Sequence, residues 1–276
     1  MLVNLDCVLK KAQKEGYAVG LFNTTDTDML EAAISAAEEL NSPIIIGTAE
    51  VLLPYGELKL IAPSIVAAAK RAKVPVVVHY DHGLTFERCI EALKLGFSSI
   101  MFDGSLKGEK ENLEETAEIV KIAHAFGATV EGEIGHVGEA AGVSEKDRYT
   151  TVKEAVDFAN KTGVDALAVA IGTAHGAYKT KPQLNIERLK EIRAAVNVPL
   201  VLHGGSGLSD EDFKNTVAAG VSKINVFTDL CIAGENAMQK CVEQKLGYLA
   251  TRAEKVAAIK QAVIKKIKVF GSQNKA

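Results

Sequence analysis

Eight short apolar runs, rich in β-branched residues, recur along the chain with longer amphipathic segments between them, and this alternation restricts the fold more than any other feature. The runs occupy residues 18–22, 43–46, 74–79, 99–102, 129–134, 165–171, 199–203 and 222–226. Such alternation is the mark of βαβ units built around a parallel sheet. After the first run, Met29, Leu30, Ala33, Ile34, Ala37 and Leu40 keep the i, i+3, i+4 spacing of a buried helical stripe. Gly96 after Leu95 and Gly163 after Thr162 mark helix ends. Eight repeats without a Pro/Gly/Ser-rich linker predict a closed (β/α)8 TIM barrel, a single domain over residues 1–276. A helix before Gly16, an eighth barrel helix ending near Glu243 and a C-terminal helix over about 252–268 complete it. A doubly wound open sheet is the alternative.

Charge narrows the function. The chain carries 32 Lys+Arg against 35 Asp+Glu, a formal charge of -3, too weak a field to draw nucleic acid or an anionic membrane non-specifically. No run approaches the roughly 18 uncharged apolar residues of a membrane span, and the first residues lack a secretory apolar stretch. Cys7, Cys89, Cys231 and Cys241 are far apart, each in a predicted helix, which predicts reduced, buried thiols and a cytoplasmic protein. Small-molecule chemistry is the expectation.

A barrel places that chemistry at the C-terminal ends of its strands. The polar residues gather there, in His79-Tyr-Asp-His-Gly83, Asp103-Gly-Ser105, Glu131 and Glu133, Gly172-Thr-Ala-His-Gly176, His203-Gly-Gly-Ser-Gly207 and Asn225-Val-Phe-Thr-Asp229. Five of the six histidines fall at or just past a run; His124 lies on a helix. His82, His175 and His203, from separate strands and each beside a glycine, predict a catalytic metal site with an open position. Asp81 adjoins His82, so strand alternation sends the two to opposite faces unless the strand has ended, a release that Gly83 offers. Gly204, Gly205 and Ser206, ahead of a helix starting near Ser209, form a candidate anion cradle, to which Lys179 could add charge. A lysine Schiff base is disfavoured, because the only strand lysine is Lys223 on the eighth run.

These D-H-G, E-x-E-x-G, G-x-x-H-G and H-G-G-S-G elements, spread from Phe22-Asn23 to Phe270-Gly-Ser272, resemble the class II, zinc-dependent ketose-bisphosphate aldolases, the fructose- and tagatose-bisphosphate enzymes among them. The resemblance implies one catalytic zinc ion on His82, His175 and His203, with Asp103 and Glu133 as secondary metal-binding positions that leave room for a second ion. It implies Asp81 as the proton donor and acceptor at the C4 oxygen of a ketose 1-phosphate or 1,6-bisphosphate. Gly176, Gly204, Gly205, Ser206, Asn225, Val226, Phe227 and Thr228 would bind the phosphate of dihydroxyacetone phosphate, and Asn23 would position the substrate. Breaking the C3–C4 bond needs a sink for the electrons left on C3, which zinc on the C2 and C3 oxygens supplies by stabilising an enediolate. A homodimer or homotetramer is the family's usual assembly.

The chain departs from the family in two places. Where relatives carry the acid that moves the triose C1 proton, it has Ala140 and Ala141, so Glu139 takes that role here as the expectation, with Glu145 as substitute. At the aldehyde end, Gly47-Thr-Ala-Glu-Val51 and Ser105-Leu-Lys-Gly-Glu-Lys110 lack the family's wording. Arg252 lies near the position of a distal-phosphate arginine, and His136 is a candidate reader of an unphosphorylated or acidic fragment. Two competing functions share the barrel: a metal-dependent sugar-phosphate isomerase or epimerase, and a non-catalytic sugar-phosphate-binding subunit.

Overall fold

A computed structural model describes residues 1–135, 149–174 and 182–276. The first half of the chain runs β1 (Leu2–Val3), α1 (Leu5–Glu15), β2 (Val19–Asn23), α2 (Thr27–Glu39), β3 (Ile44–Ala49), α3 (Leu58–Arg71), β4 (Val76–Gly83), α4 (Phe86–Lys94), β5 (Ser99–Phe102) and α5 (Glu109–Ala125). The second half runs β6 (Thr129–Ile134), α6 (Val152–Thr162), β7 (Ala166–Val169), α7 (Ile186–Ala195), β8 (Leu200–Leu202), α8 (Asp210–Ala218), β9 (Val221–Val226), α9 (Thr228–Glu243) and α10 (Tyr248–Phe270). Strands β2 to β9 pair in parallel in chain order, and the β4–β5 and β2–β9 pairings close them into an eight-stranded barrel. The open-sheet alternative is thereby removed.

The eight predicted runs are the eight barrel strands. Ser99–Phe102 and Thr129–Ile134 match the expected bounds, and α9 ends at Glu243 as expected. The C-terminal helix is longer than predicted, Tyr248–Phe270, and closes on Gly271 at φ 78°. One element was not anticipated: Leu2 and Val3 pair with Val76 and Val77 at the start of β4. Two residues are too few for a period-2 signal.

Two apolar layers hold the barrel together. The outer one lies between strands and helices, where α2 contributes Met29, Leu30, Ala33 and Ala37, with Ile34 only partly buried at its margin. The inner one fills the lower barrel. Val19, Leu21, Ile45, Val77, Ala166, Ala168 and Val201 point inward, and α1 presses Leu5, Val8, Leu9 and Ala12 against them from below. Each leucine so buried contributes about 2 kcal/mol. The stripe also explains Cys7, which was expected to be buried: it lies on the outer face of α1 and is exposed, and Cys231 is half-buried, whereas Cys89 and Cys241 are buried. All four thiols are unbonded.

Candidate active site

Above the apolar floor the barrel interior turns polar, and period-2 alternation explains why. His79 and Asp81 on β4, Glu131 and Glu133 on β6, and Lys223 and Asn225 on β9 are i, i+2 pairs, so each pair shares the inward face. All six are buried. A cavity of about 450 Å³ opens above them, lined in part by Asn23, Asp81, His82, Asp103, the run 204–206 and the run 225–228.

Asp81 and His82 are adjacent, yet both reach this cavity. Gly83 is not the device that allows it. Tyr80 pairs with Ile100 and Gly83 with Phe102, so Asp81 and His82 together oppose the single residue Met101. This is a β-bulge, and His82 takes φ 46° within it. A non-glycine residue in that region costs on the order of 1–3 kcal/mol, and the strain turns His82 back toward the mouth while the strand continues to Gly83.

The two described histidines expected to hold a metal meet directly. His82 Nε2 lies 2.9 Å from His203 Nδ1, with the rings nearly perpendicular at 83°. Each ring's other nitrogen faces a carboxylate: His82 Nδ1 is 2.7 Å from Asp103 Oδ2, and His203 Nε2 is 2.7 Å from Glu131 Oε1. A carboxylate only accepts, so it draws the proton to the nitrogen it touches and leaves the lone pair on the other. Two lone pairs at 2.9 Å repel unless a cation sits between them. The surrounding charges favour one: burial opposes charge on His82, but Asp81, Asp103 and Glu133 outweigh it and push the imidazolium up to about 10. A proton or a divalent ion meets that demand, and Glu133 Oε2, 3.5 Å from His203 Nδ1, adds a hard donor. Asp81, His82 and His203 form one group with metal-ligand proximity, and His82, Asp103 and Glu133 another. The donor set of imidazoles and carboxylates fits a divalent transition ion such as zinc.

Asp81 is held from two sides. Asn23 Nδ2 donates to Oδ2 at 2.7 Å, and Asn225 Nδ2 donates to Oδ1 and Oδ2 at 3.1 and 3.2 Å. Burial works against its charge, but His82, Lys223 and His203 prevail and hold the carboxyl well below the usual carboxylate range. It is therefore held as an anion at the edge of the cavity.

The glycine loop after β8 is shaped by close approaches. Gly204 has φ 65°, and a Cβ there would lie 2.3 Å from the Ala174 carbonyl oxygen. Ser206 Oγ accepts from the Phe227 and Asp229 backbone N–H groups, tying this loop to the start of α9. The helix whose N-terminus lines the cavity is thus α9, through Thr228, and not the one starting near Ser209. Ser209 caps α8 in a capping box whose first turn carries Asp210, Glu211 and Asp212, a poor surface for an anion.

Of the expected site residues, Asn23, Asp81, His82, Asp103, Glu133, His203, Gly204, Gly205, Ser206, Asn225, Val226, Phe227 and Thr228 come together here. His175, Gly176 and Glu139, with Lys179, Glu145 and His136, lie outside the described residues. Arg252 does not line the cavity: it pairs with Asp28 Oδ1 at 2.8 Å and Glu31 Oε2 at 2.5 Å on α2. The parts that His79, Glu131 and Lys223 play were not anticipated; their i, i+2 spacing to Asp81, Glu133 and Asn225 within the strands was the available signal.

The chain is similar to known proteins over its whole length. Residues 3–275 match the family model described as fructose-bisphosphate aldolase class-II. The chain is 40% identical to a 6-phospho-5-dehydro-2-deoxy-D-gluconate aldolase of Shouchella clausii, over 98% of this chain and 94% of the relative. It is 39% identical to a fructose-bisphosphate aldolase of Thermus caldophilus, over the whole of both. The crystal structure of the YdjI aldolase from Escherichia coli K12 superposes with a TM-score of 0.91 at 38% identity, covering both chains completely.

Proposed function

The chain belongs to the class II fructose-bisphosphate aldolase family and is an aldolase, a carbon–carbon lyase, and on that premise we propose that it cleaves a ketose 1-phosphate or 1,6-bisphosphate to dihydroxyacetone phosphate and an aldehyde, using zinc. The observation that carries this reading is the opposed His82 Nε2 and His203 Nδ1 pair, each ring anchored from behind by a carboxylate, with the Asp81 anion beside it. Residues 1–276 form one domain in this reading.

His82 and His203, with His175, are the residues that hold the metal; Asp103 and Glu133 are its secondary positions. Bound there, the ion supplies Lewis acidity that stabilises negative charge developing on the triose oxygens, a role worth several kcal/mol. Asp81 takes the proton of the C4 hydroxyl as the C3–C4 bond breaks and returns it in the aldol direction. Asn23 and Asn225 keep its oxygens pointed at that hydroxyl. Glu139 serves the C1 proton of the triose. Gly176, Gly204–Ser206 and Asn225–Thr228 hold the phosphate, where the α9 N-terminus favours an anion.

At the aldehyde end the described lining is apolar, with Val51, Leu52, Leu84 and Leu106, and carries no lysine or arginine. Val242, Tyr248 and Leu249, exposed around the α9–α10 turn, support association of copies into a homodimer or homotetramer. Unbonded cysteines support a cytoplasmic setting. Among the described residues no helix is long and apolar enough to cross a membrane.

The test is triose phosphate release from fructose, tagatose and sorbose 1-phosphates and 1,6-bisphosphates, with and without chelator. Chelator-sensitive release is the expected result. Interconversion without triose release would establish an isomerase or epimerase instead, and cleavage that survives chelator and is trapped by borohydride would overturn the metal mechanism.

A further inference from the structure

Lys223 has no accessible surface and does not line the cavity, yet both arms of its ammonium contacts end on the reacting centre. One arm runs through Glu131: Lys223 Nζ lies 2.8 Å from Glu131 Oε2, and Glu131 Oε1 faces His203 Nε2 at 2.7 Å. The other runs through Asn225: Lys223 Nζ donates to Asn225 Oδ1 at 2.6 Å, and the Asn225 amide nitrogen donates to Asp81.

The direction of each arm follows from what an ammonium can do. It donates and never accepts. The Asn225 amide must therefore turn its carbonyl to Lys223 and its NH2 to Asp81. Without the ammonium the Asn225 carbonyl loses its donor, and the Asp81 carboxylate alone is left to hold the amide in that orientation. On the other arm, the ammonium lies 2.8 Å from Glu131 Oε2 and so leaves Oε1 turned to His203 Nε2 at 2.7 Å. That places the His203 proton on Nε2 and the lone pair on Nδ1, the nitrogen that faces His82.

We infer that Lys223 is a positioning residue that fixes, at once, the tautomer of His203 and the amide orientation of Asn225, and so couples the metal ligand to the proton relay. The inference rests on the metal and relay roles proposed above. It explains why a lysine is buried in a barrel whose chemistry needs no Schiff base.

The test compares full-length wild type with Lys223→Met, the conservative Lys223→Arg, and the double variant Lys223→Met/Glu131→Gln, which leaves no unpaired buried carboxylate should the single variant fail to fold. The His203 tautomer is read in the metal-free proteins by long-range nitrogen–proton NMR, and Zn2+ affinity by competition with a chelator of known strength. Wild type and Lys223→Arg should show the Nε2–H tautomer. Lys223→Met and the double variant should lose it, bind Zn2+ about 10- to 100-fold more weakly, as removal of a ligand's supporting partner does, and cleave substrate with reduced kcat at little-changed KM. A folded Lys223→Met or double variant with the wild-type His203 tautomer and Zn2+ affinity would overturn the inference. Failure of wild type itself to bind Zn2+ or to cleave ketose phosphates would instead strike the parent reading.

Discussion

His82 Nε2 and His203 Nδ1 face each other across 2.9 Å, a spacing that a proton bridges and at which a divalent ion can replace it, in a site that only the folded chain assembles. Metal should therefore stabilise the fold as well as serve the chemistry. With Zn2+ at one hundred times its Kd, the gain is about 2.7 kcal/mol, or roughly 5 °C in Tm for a chain of this length. Differential scanning calorimetry of the metal-free protein with and without Zn2+ checks this, and His203→Ala should abolish the shift.

Asp103 grips His82 Nδ1 at 2.7 Å and also accepts from the Ser105 hydroxyl and backbone N–H. Asp103→Asn should weaken Zn2+ binding about 10- to 100-fold, because the amide no longer fixes the imidazole tautomer. Chelator competition gives the affinity; an unchanged value would show that Asp103 does not orient the ring.

Lys266 on α10 is nearly buried, pairs with Asp229 Oδ2 at 2.6 Å and packs over the Phe213 ring. Asp229 Oδ1 in turn accepts from the Gly207 N–H. The lysine thus neutralises a carboxylate attached to the loop proposed to hold phosphate. Lys266→Met should raise KM for a ketose phosphate, and the inhibition constant of inorganic phosphate, on the order of tenfold while kcat stays near wild type, the size expected for an unmasked charge several ångströms away.

Gly204 combines positive φ with a carbonyl where a side chain would begin. Gly204→Ala should cost about 2–4 kcal/mol and lower Tm by roughly 4–8 °C, measured by thermal denaturation followed by circular dichroism. An unaffected melting curve would mean that the loop relaxes away from Ala174.

His79 has its Nδ1 on the Ser99 hydroxyl at 2.8 Å, and burial, reinforced by Lys223, pushes it down to about 3. Because its folded value lies below the unfolded 6.5, the unfolded chain takes up a proton first as pH falls, and stability is lost from about pH 6.5 down to about pH 3. Within that window the loss is about 1.4 kcal/mol per pH unit. Between pH 7 and pH 5, metal-free wild type should therefore lose about 2 kcal/mol more than His79→Asn in urea denaturation. Equal losses would mean that His79 is protonated in the fold.

The strands and their order were legible in the sequence because eight runs repeat one pattern, and runs such as Thr129–Ile134 are bounded by turn residues on both sides. His82 and His203, proposed to hold the metal, stood out because each lies at the C-terminal end of a strand run beside a glycine; His175, chosen on the same ground, lies outside the described residues. What escaped was whatever depends on a partner far away in sequence. His82 turns on a bulge set by its register with β5, and nothing local in Asp81-His82-Gly83 distinguishes a bulge from a strand end. His79 stood out only as part of the polar run 79–83 and Lys223 only as a disfavoured Schiff-base lysine, since it takes barrel closure to bring β4, β6 and β9 around one axis. The phosphate-facing helix was assigned to the nearest downstream helix, α8, whereas the Ser206 hydroxyl reaches α9, more than twenty residues on.

Helix α1, seated under the barrel with Leu5, Val8, Leu9 and Ala12 against the strand interiors, stoppers the lower end, so among the described residues the cavity opens on the opposite side, where the strands end. On the proposed function, substrate enters and both products leave by that same side. The fragment bound at the proposed phosphate loop is then expected to leave after the aldehyde, an order set from the far end by a helix that lines none of the cavity.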